Sequence, residues 1–232
     1  MLSDGALTGL AQQARRLLCS LDEPSLAPFL ADWRGHHWPS HASPEMPQRY
    51  DLPPVTAGDS TLPVLRWLPD FAADESGFGA SLVPDLCRNH HLLTWRQTYA
   101  AGDVGAAFLR NYGYAEILGP KSIPSGRIAC GFLILGPSTL YPRHRHEAEE
   151  IYLPLRGAAR WQQSDAIWRE RRPGAVIHHA SDEPHSMQTG GEPLLALYVW
   201  RSERLNQQAR LDDDSPNTDS PNADSPNRNS PN

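Results

Sequence analysis

Five of the ten histidines lie between residues 144 and 185, and two of these are separated by a single residue. His144 and His146 precede Glu150 and Tyr152 in one short stretch of the chain. Residues two apart in a β-strand project from the same face, so the two imidazoles point together, as do Glu150 and Tyr152. An ionised carboxylate in an apolar interior is costly unless a cation compensates it, and imidazole nitrogens are common metal ligands. The pattern therefore predicts a divalent metal site.

The spacing within this stretch resembles the first motif of the cupin family. In that motif an HxH pair is followed by Glu after three residues and by Gly after six more, as are Glu150 and Gly157 here. The resemblance implies a mainly β fold, a double-stranded β-helix or jelly-roll barrel, with the metal inside it.

The segment 172–187 resembles the second cupin motif, which supplies one more histidine ligand. We assign this ligand to His185, because Pro184 and His185 precede a strand. His178 and His179 remain alternatives, but adjacent strand residues alternate faces and one of the two must point outward. One divalent metal ion is thus expected, and iron, manganese, zinc, cobalt and nickel all accept such nitrogen and oxygen donors. The expected ligands are His144, His146, Glu150 and His185.

Within the cupins, the pattern from Tyr141 to Gly157 is similar to the dimethylsulfoniopropionate (DMSP) lyases of the DddL and DddQ group. The stretch 108–116 and the order of helices followed by a barrel are also similar to that group. The resemblance extends over residues 80–203 and implies a carbon–sulfur lyase. Such enzymes cleave the small molecule DMSP into dimethyl sulfide and acrylate with a bound divalent metal.

The chemistry of this cleavage can be assigned to side chains. β-Elimination removes a proton beside a carboxylate, and a Lewis acid that binds the carboxylate lowers the cost of the second negative charge. A tyrosine with an ordinary pKa near ~10 is a poor base unless a nearby cation favours its phenolate. Tyr152, two residues after Glu150, is our first candidate for the base, and Tyr141, at the pocket rim, is the second.

Aromatic side chains are the candidates for binding the sulfonium end of the substrate. Their faces attract cations by about 0.5 to 2 kcal/mol. We select Tyr141, Trp161, Tyr198 and Trp200 as substrate-binding residues. Further candidates are Trp168, Tyr112 and Tyr114.

Two other functions remain open at this point. An iron cupin dioxygenase uses a similar ligand set with open coordination positions. A non-enzymatic cupin would instead bind a sugar or serve as a storage or regulatory barrel. The position of Tyr152 suits proton abstraction and favours the lyase.

Composition argues against several classes of protein. Residues 212–232 carry −4 of the net charge of −6, so the remaining body is nearly neutral and lacks the basic surface of a nucleic-acid binder. No stretch approaches the roughly 20 apolar residues of a membrane helix, and residues 1–16 lack the order of a secretion signal. We therefore expect a cytoplasmic protein that binds neither nucleic acid nor membrane. The sequence leaves a homodimer open.

Apolar spacing divides the chain into a helical half and a β half. Three- and four-residue steps over 4–32 predict two helices broken at Pro24, and similar steps predict helices within 80–100 and 103–117. Short runs rich in β-branched and aromatic residues then predict an antiparallel barrel or sandwich. These predicted strands lie at 128–135, 149–157, 158–163, 175–179 and 194–200.

Three regions follow from these patterns. Residues 1–118 form a helical N-terminal region with a Pro-rich connection at 36–70, and residues 119–211 form the cupin barrel. The DSPN repeat at 212–232 has no large apolar side chain, so we expect a disordered tail. A further hypothesis is that the helical half closes over the barrel mouth, because this half must bury several apolar side chains, namely Leu92, Leu93, Trp95, Phe108 and Leu109.

Overall fold

The computed structural model describes residues 2–34, 62–74 and 77–212. Helices occupy the N-terminal half of this part. No helix among the described residues is both long enough and apolar enough to cross a membrane. The α-helices are α1 (Leu2–Cys19), α2 (Ala27–Arg34), α3 (Leu68–Ala72), α4 (Leu82–Asn89) and α5 (Ala101–Leu109), with 3₁₀ turns at Pro24–Leu26, Pro63–Trp67 and His90–Leu92.

The strands among the described residues form two antiparallel sheets. They are β1 (Trp95–Arg96), β2 (Tyr112–Leu118), β3 (Ile128–Leu135), β4 (Leu140–Arg145), β5 (Glu149–Arg156), β6 (Ala159–Gln163), β7 (Arg169–Arg171), β8 (Ile177–His179), β9 (His185–Thr189), β10 (Leu194–Arg201) and β11 (Arg210–Leu211). Sheet A has the order β1-β2-β3-β10-β5-β8, and sheet B has the order β11-β4-β9-β6-β7. The mainly β fold with N-terminal helices is therefore confirmed.

The helices predicted on either side of Pro24 are present, since a 3₁₀ turn begins at Pro24 and joins α1 to α2. The five predicted strands are also present, as β3, β5, β6, β8 and β10. Of the Pro-rich connection at 36–70, residues 36–61 lie outside the described residues. Its last part forms a 3₁₀ turn and the start of α3.

The helix predicted over 103–117 is wrong in its second half, because α5 ends at Leu109 and Tyr112–Leu118 is strand β2. Tyrosine and isoleucine favour strands, and glycine disfavours a helix. Gly113 also needs its small size, since an added Cβ would lie 2.9 Å from Val64 Cγ1. Because β2 pairs with β3, sheet A begins before Gly119.

The two faces of sheet A contact different parts of the chain. Its outer face packs against the helices, and this core includes Leu10 of α1, Phe29 of α2 and Leu86 of α4. Its inner face, turned toward sheet B, packs with Phe108 of α5. The helical half thus buries its apolar residues on both faces of sheet A, with Leu93 and Trp95 in the outer core and Phe108 on the inner face.

The C-terminal boundary predicted at residue 212 is also wrong by one residue. Strand β11 pairs with β4, and Asp212 follows it with its side chain buried against Arg143 and Arg145. The remainder of the repeat, residues 213–232, for which a disordered tail is expected, lies outside the described residues.

Candidate active site

Two paired strands of sheet B and one strand of sheet A bring the predicted metal ligands together. His144 lies in β4 and is paired with His185, the first residue of β9, so the two imidazoles come from opposed positions of sheet B. His146 follows the end of β4. Glu150 lies in β5 of sheet A and faces them from the opposite sheet. His185 was expected to lead into the strand at 194–200, and it instead begins a strand of its own.

The three histidines form a compact, buried donor group. Their exposed fractions are 1% for His144, 2% for His146 and 1% for His185. One ring nitrogen of each lies within 4.8 Å of the others, a spacing suited to a single ion. Among the described residues this is the group that could hold a metal.

Each of these imidazoles is fixed by a hydrogen bond at Nδ1. The partners are backbone carbonyl oxygens, each 2.8 Å away, and they belong to Pro142 for His144, Ala148 for His146 and Glu183 for His185. In metal sites the second nitrogen of a histidine ligand is typically anchored in this way, which leaves Nε2 for the metal.

The carboxylate of Glu150 is fully buried and joins the histidine group. Its Oε2 is hydrogen-bonded to Nε2 of His146 at 2.9 Å and lies 3.3 Å from Nε2 of His185. Its Oε1 accepts a hydrogen bond from Nε1 of Trp200 at 2.6 Å. These contacts hold the carboxylate against the imidazoles.

The electrostatics of the group differ between its members, since Glu150, against the effect of burial, raises the pKa of His146 whereas the pKa of His144 is lowered. Burial would raise the pKa of Glu150, but His146 and His185 hold it well below its usual range. Burial, together with His185 and His146, lowers the pKa of His144 well below its usual value. A neutral imidazole keeps the lone pair that a metal needs, and an ionised carboxylate supplies compensating charge.

These residues fit a divalent metal ion. Nε2 of His185 is buried and makes no hydrogen bond of good geometry. A buried nitrogen without a partner is costly, and a metal would satisfy it. Three imidazoles with one carboxylate form a donor set typical of first-row divalent metals.

Tyr152 lies beside this group. It is buried in β5, with its ring 6.4 Å from the ring of His185 and 5.0 Å from that of Trp161. Burial, and secondly the charge of Glu150, raises the pKa of Tyr152 well above its usual value. A phenolate at this position therefore needs a nearby positive charge.

Tyr141, the second candidate base, contacts His144. Their rings are stacked, with centroids 4.1 Å apart. The Tyr141 hydroxyl is hydrogen-bonded to that of Tyr112 at 3.3 Å, and burial raises its pKa well above the usual value. Tyr99 and Phe108 also pack on Tyr141. Phe108 begins the stretch 108–116 that resembles the DMSP lyases, whereas sequence analysis missed Tyr99, which no motif marks.

The other aromatic candidates differ in how close they lie to the proposed ligands and Tyr152. Trp161 contacts Tyr152, and the ring of Trp200 lies 4.2 Å from that of His146. Tyr198 is paired with Tyr152 but leans across Gly131, where an added Cβ would meet its hydroxyl at 2.7 Å. Trp168 lies under the guanidinium of the exposed Arg160, outside the barrel, so it is not placed near the site.

His179 lies in the site, although sequence analysis did not decide which of His178 and His179 points inward. It lies opposite Glu150 in the pairing of β8 with β5, and it is fully buried. Its ring is stacked on that of His185 at a centroid distance of 4.0 Å. His178 points the other way, to Glu149. One of the two histidines thus does point outward, and the other lies in the site.

Comparison with known proteins identifies related sequences. A family model described as dimethylsulfoniopropionate lyase matches residues 49–196. A protein of Cereibacter sphaeroides, provisionally named dimethylsulfoniopropionate lyase DddL, is 40% identical over 138 residues. That match spans 57% of this chain and 57% of the relative. Dimethylsulfoniopropionate lyase DddQ of Ruegeria pomeroyi is 28% identical over 182 residues, which are 78% of this chain and 83% of DddQ.

Solved structures share the fold. The crystal structure of DMSP lyase DddQ from Ruegeria pomeroyi superimposes with a TM-score of 0.67 at 24% identity, over 90% of this chain and 96% of that one. A chain from the crystal structures of the DMSP lyases RdDddP and RnDddQII gives the same score and identity, over 90% of this chain and 99% of that one. The fold of helices followed by a two-sheet barrel is thus common to these proteins.

Proposed function

Because this chain belongs to the dimethylsulfoniopropionate lyase family, we propose that it cleaves DMSP to dimethyl sulfide and acrylate as a metal-dependent carbon–sulfur lyase. The observation that carries the proposal is the buried group of three histidines and a carboxylate with a tyrosine beside it. A base next to a metal-binding group is what an elimination beside a carboxylate requires.

The reaction balances without any added oxidant or reductant. Tyr152 takes a proton from the carbon adjacent to the substrate carboxylate. The electron pair of that C–H bond becomes the second bond between this carbon and the next one. The bond from that next carbon to sulfur breaks, and sulfur leaves with its electron pair as neutral dimethyl sulfide. Acrylate remains, and the phenol of Tyr152 returns its proton to solvent.

His144, His146, His185 and Glu150 would hold the divalent metal. When bound, the metal supplies a positive charge that offsets the substrate carboxylate and favours the phenolate of Tyr152. The Nδ1 anchors keep the imidazole rings oriented, and Trp200 holds Oε1 of Glu150. Because burial opposes a phenolate, the base is expected to depend on this charge.

Tyr152 is preferred to Tyr141 as the base because different groups surround the two hydroxyls. Tyr141 is surrounded by other tyrosine hydroxyls, and these neighbours raise its pKa further. Tyr141 also contacts a proposed ligand, because its ring is stacked on His144, but its hydroxyl is hydrogen-bonded to those of Tyr112 and Tyr99. The side chain of Tyr152 interacts with the proposed ligand Glu150, so a cation in the ligand group acts directly on its hydroxyl. Tyr141 is accordingly assigned to substrate binding, and it lies buried between the sheets and not at the rim where the sequence analysis placed it.

The sulfonium end of the substrate is assigned to the aromatic rings around the site. Tyr141, Trp161 and Trp200 each contact a proposed ligand or Tyr152, and Tyr198 lies one strand further along. Aromatic faces attract a soft cation without a hydrogen-bond acceptor. The neutral sulfide would lose that attraction once it forms, which favours its release.

The function is tested by incubating purified protein with DMSP under nitrogen and measuring dimethyl sulfide in the headspace and acrylate in solution. The proposal predicts both products in equal amounts. An iron dioxygenase would be inactive without oxygen, and a non-enzymatic cupin would be inactive with or without it. Absence of both products from the metal-loaded protein would refute the lyase.

Metal dependence is tested on matched histidine variants. His185→Ala should lower the metal content measured by elemental analysis, because it removes a ligand. His178→Ala, in strand β8 of sheet A, should leave it unchanged, because His178 is hydrogen-bonded to Glu149 and points away from the site. Equal metal content in both variants would remove His185 from the ligand set.

A further inference from the structure

His179 is a buried imidazole that the proposed reaction does not use. It is the last residue of β8, and its pairing with Glu150 directs its side chain into the space between the sheets. Its exposed fraction is 0%. Its ring is stacked on that of His185, with 19° between their planes, and lies 6.0 Å from the ring of Tyr152.

The bonding of His179 differs from that of the three proposed histidine ligands. Each of those has Nδ1 fixed by a backbone carbonyl. In His179 neither Nδ1 nor Nε2 has a hydrogen-bond partner within the described part of the chain. It also lies outside the group of nitrogens spaced for one ion. His179 therefore lacks the anchoring that metal-binding histidines show.

A buried imidazole with two unpartnered nitrogens costs stability that an apolar side chain of similar size would not. The cost is removed when a bound molecule supplies a hydrogen-bonding atom at this position. From this we infer that His179 is a substrate-binding residue whose ring N–H donates a hydrogen bond to the carboxylate of the substrate. This inference rests on the proposed function, since it takes the substrate to be a 3-sulfoniopropionate.

The position of His179 selects the carboxylate end of the substrate. Ring contacts run in order from Tyr141 to His144, then to His185 and then to His179. The hydroxyls of Tyr99 and Tyr112 surround Tyr141 at one end of this row, and the N–H donor of His179 lies at the other end, beside Tyr152. A sulfonium has no hydrogen-bond acceptor and suits the aromatic end, whereas a carboxylate oxygen suits a donor.

The distance to Tyr152 agrees with this orientation. The proton to be removed is on the carbon bonded to the carboxylate, so the base and the group that holds the carboxylate must be neighbours. Among the rings near His179 are those of Tyr152 and Trp161. A carboxylate held by His179 would therefore place the adjacent carbon beside Tyr152.

The test uses two variants of His179 and one matched control. His179→Phe keeps an aromatic ring stacked on His185 and removes both nitrogens, while His179→Gln keeps an N–H donor. His178→Phe is the control, on the same strand but the opposite face. Each purified protein is assayed for metal content, for kcat and KM with DMSP, and for the Kd of propionate by calorimetry. Propionate carries the carboxylate without the sulfonium.

The inference predicts that His179→Phe raises both KM and the Kd of propionate about tenfold or more, because a hydrogen bond to a charged group is lost. Metal content should stay near its wild-type value, and kcat should change less than KM does. His179→Gln and the control should bind propionate almost as the wild type does. If His179→Phe does not fold, His179→Leu replaces it, since leucine also lacks a nitrogen.

Two results would overturn the inference. One is an unchanged Kd of propionate in the variant without a nitrogen, and the other is loss of metal from that variant, which would make His179 a ligand or a support for one. Failure of the proposed function gives a different result, namely a wild-type protein that does not cleave DMSP. The Kd of propionate in such a protein can still depend on His179, so the two failures are distinguishable.

Discussion

Glu116 is a buried carboxyl group on the inner side of β2, in the row of sheet A that contains Gly131 and Tyr198. Its Oε1 accepts hydrogen bonds from the backbone N–H of Lys121 at 2.5 Å and from the hydroxyl of Ser122 at 3.3 Å. Burial nevertheless dominates and raises the pKa of Glu116 from 4.5 to about 7. The carboxyl group thus binds its proton more tightly in the folded protein than in the unfolded chain.

This shift predicts a pH dependence of stability. Since the folded pKa is the higher one, stability is lost as the pH rises from 4.5 to about 7. The loss should amount to about 3 kcal/mol. Glu116→Gln keeps the acceptor oxygen and cannot ionise, so the variant should gain stability relative to wild type between pH 5 and pH 8, as measured by urea unfolding. Parallel pH dependences of the two proteins would contradict the assignment.

The exposed residue Glu170 provides the control for this measurement. Its carboxylate pairs with Arg172 on the surface of strand β7. Glu170→Gln should therefore keep the pH dependence of the wild type, because surface pairs contribute little to stability.

Sequence spacing predicted which side chains lie together when these residues belong to one strand or one motif. It selected His144, His146, Glu150 and His185, and the structure brings these four side chains together. It could not decide between His178 and His179. The choice depends on the register of β8 against β5, which is a contact between distant parts of the chain.

At the level of elements, β11 fixes the free edge of the strand that carries His144. Leu211 is paired with His144, and the backbone N–H of Asp212 donates to the carbonyl of Arg143 at 2.9 Å. The buried Asp212 carboxylate accepts hydrogen bonds from Arg143 at 2.9 Å and from Arg145. Arg143 also donates to the carbonyl of Ser164 at 2.5 Å. Arg143, which Asp212 holds in place, thus connects β4 to the turn after β6.

Two chain lengths isolate the contribution of Asp212. A chain ending at residue 212 keeps the carboxylate, and a chain ending at residue 211 lacks it and leaves both arginines without their buried partner. We expect the shorter chain to be less stable by about 1–3 kcal/mol in urea unfolding. Equal stability of the two chains would show that the ion pairs around Asp212 contribute nothing.

Strand β2 shows why some elements escape prediction. The spacing of Phe108, Leu109, Tyr112 and Ile117 suits a helix as well as a strand over a short stretch. Pairing with β3 decides the outcome, because it buries Ala115 and Ile117 against the helices and Tyr112 on the inner face. Such tertiary pairing is not encoded in local periodicity. The strands at 128–135 and 194–200 were predicted correctly because their apolar runs are long and bounded by glycine or proline.

The two faces of sheet A have different roles in the whole molecule. The outer face packs on the helices, and the inner face contains the proposed active site. Phe29 of α2 is buried in the core on the outer face, where its ring contacts His178. Phe108 of α5 is buried on the inner face and is stacked on Tyr112 at 4.8 Å and packed on Tyr141 at 5.4 Å. Both phenylalanines stabilise the fold, but only one adjoins the proposed substrate.

Alanine variants of the two phenylalanines should therefore differ in function. Each should lower the free energy of unfolding by about 3–5 kcal/mol, the usual cost of removing a buried phenylalanine. Phe29→Ala should keep the wild-type KM for DMSP at a temperature where it is folded, and Phe108→Ala should raise it. The two are compared by unfolding and by dimethyl sulfide release. A raised KM in Phe29→Ala alone would contradict the division.

The central claim is that Tyr152 removes a proton from DMSP beside the metal-binding group, and Tyr152→Phe tests it most directly. Phenylalanine keeps the ring packed on Trp161 and removes the group that takes the proton. Metal content should stay near the wild-type value, while kcat for dimethyl sulfide release should fall by about 10² to 10⁴. Tyr141→Phe, the comparison at the second candidate tyrosine, should affect KM more than kcat. A metal-loaded Tyr152→Phe protein with turnover near that of the wild type would contradict the account, and a large loss of kcat in Tyr141→Phe instead would assign the base to Tyr141.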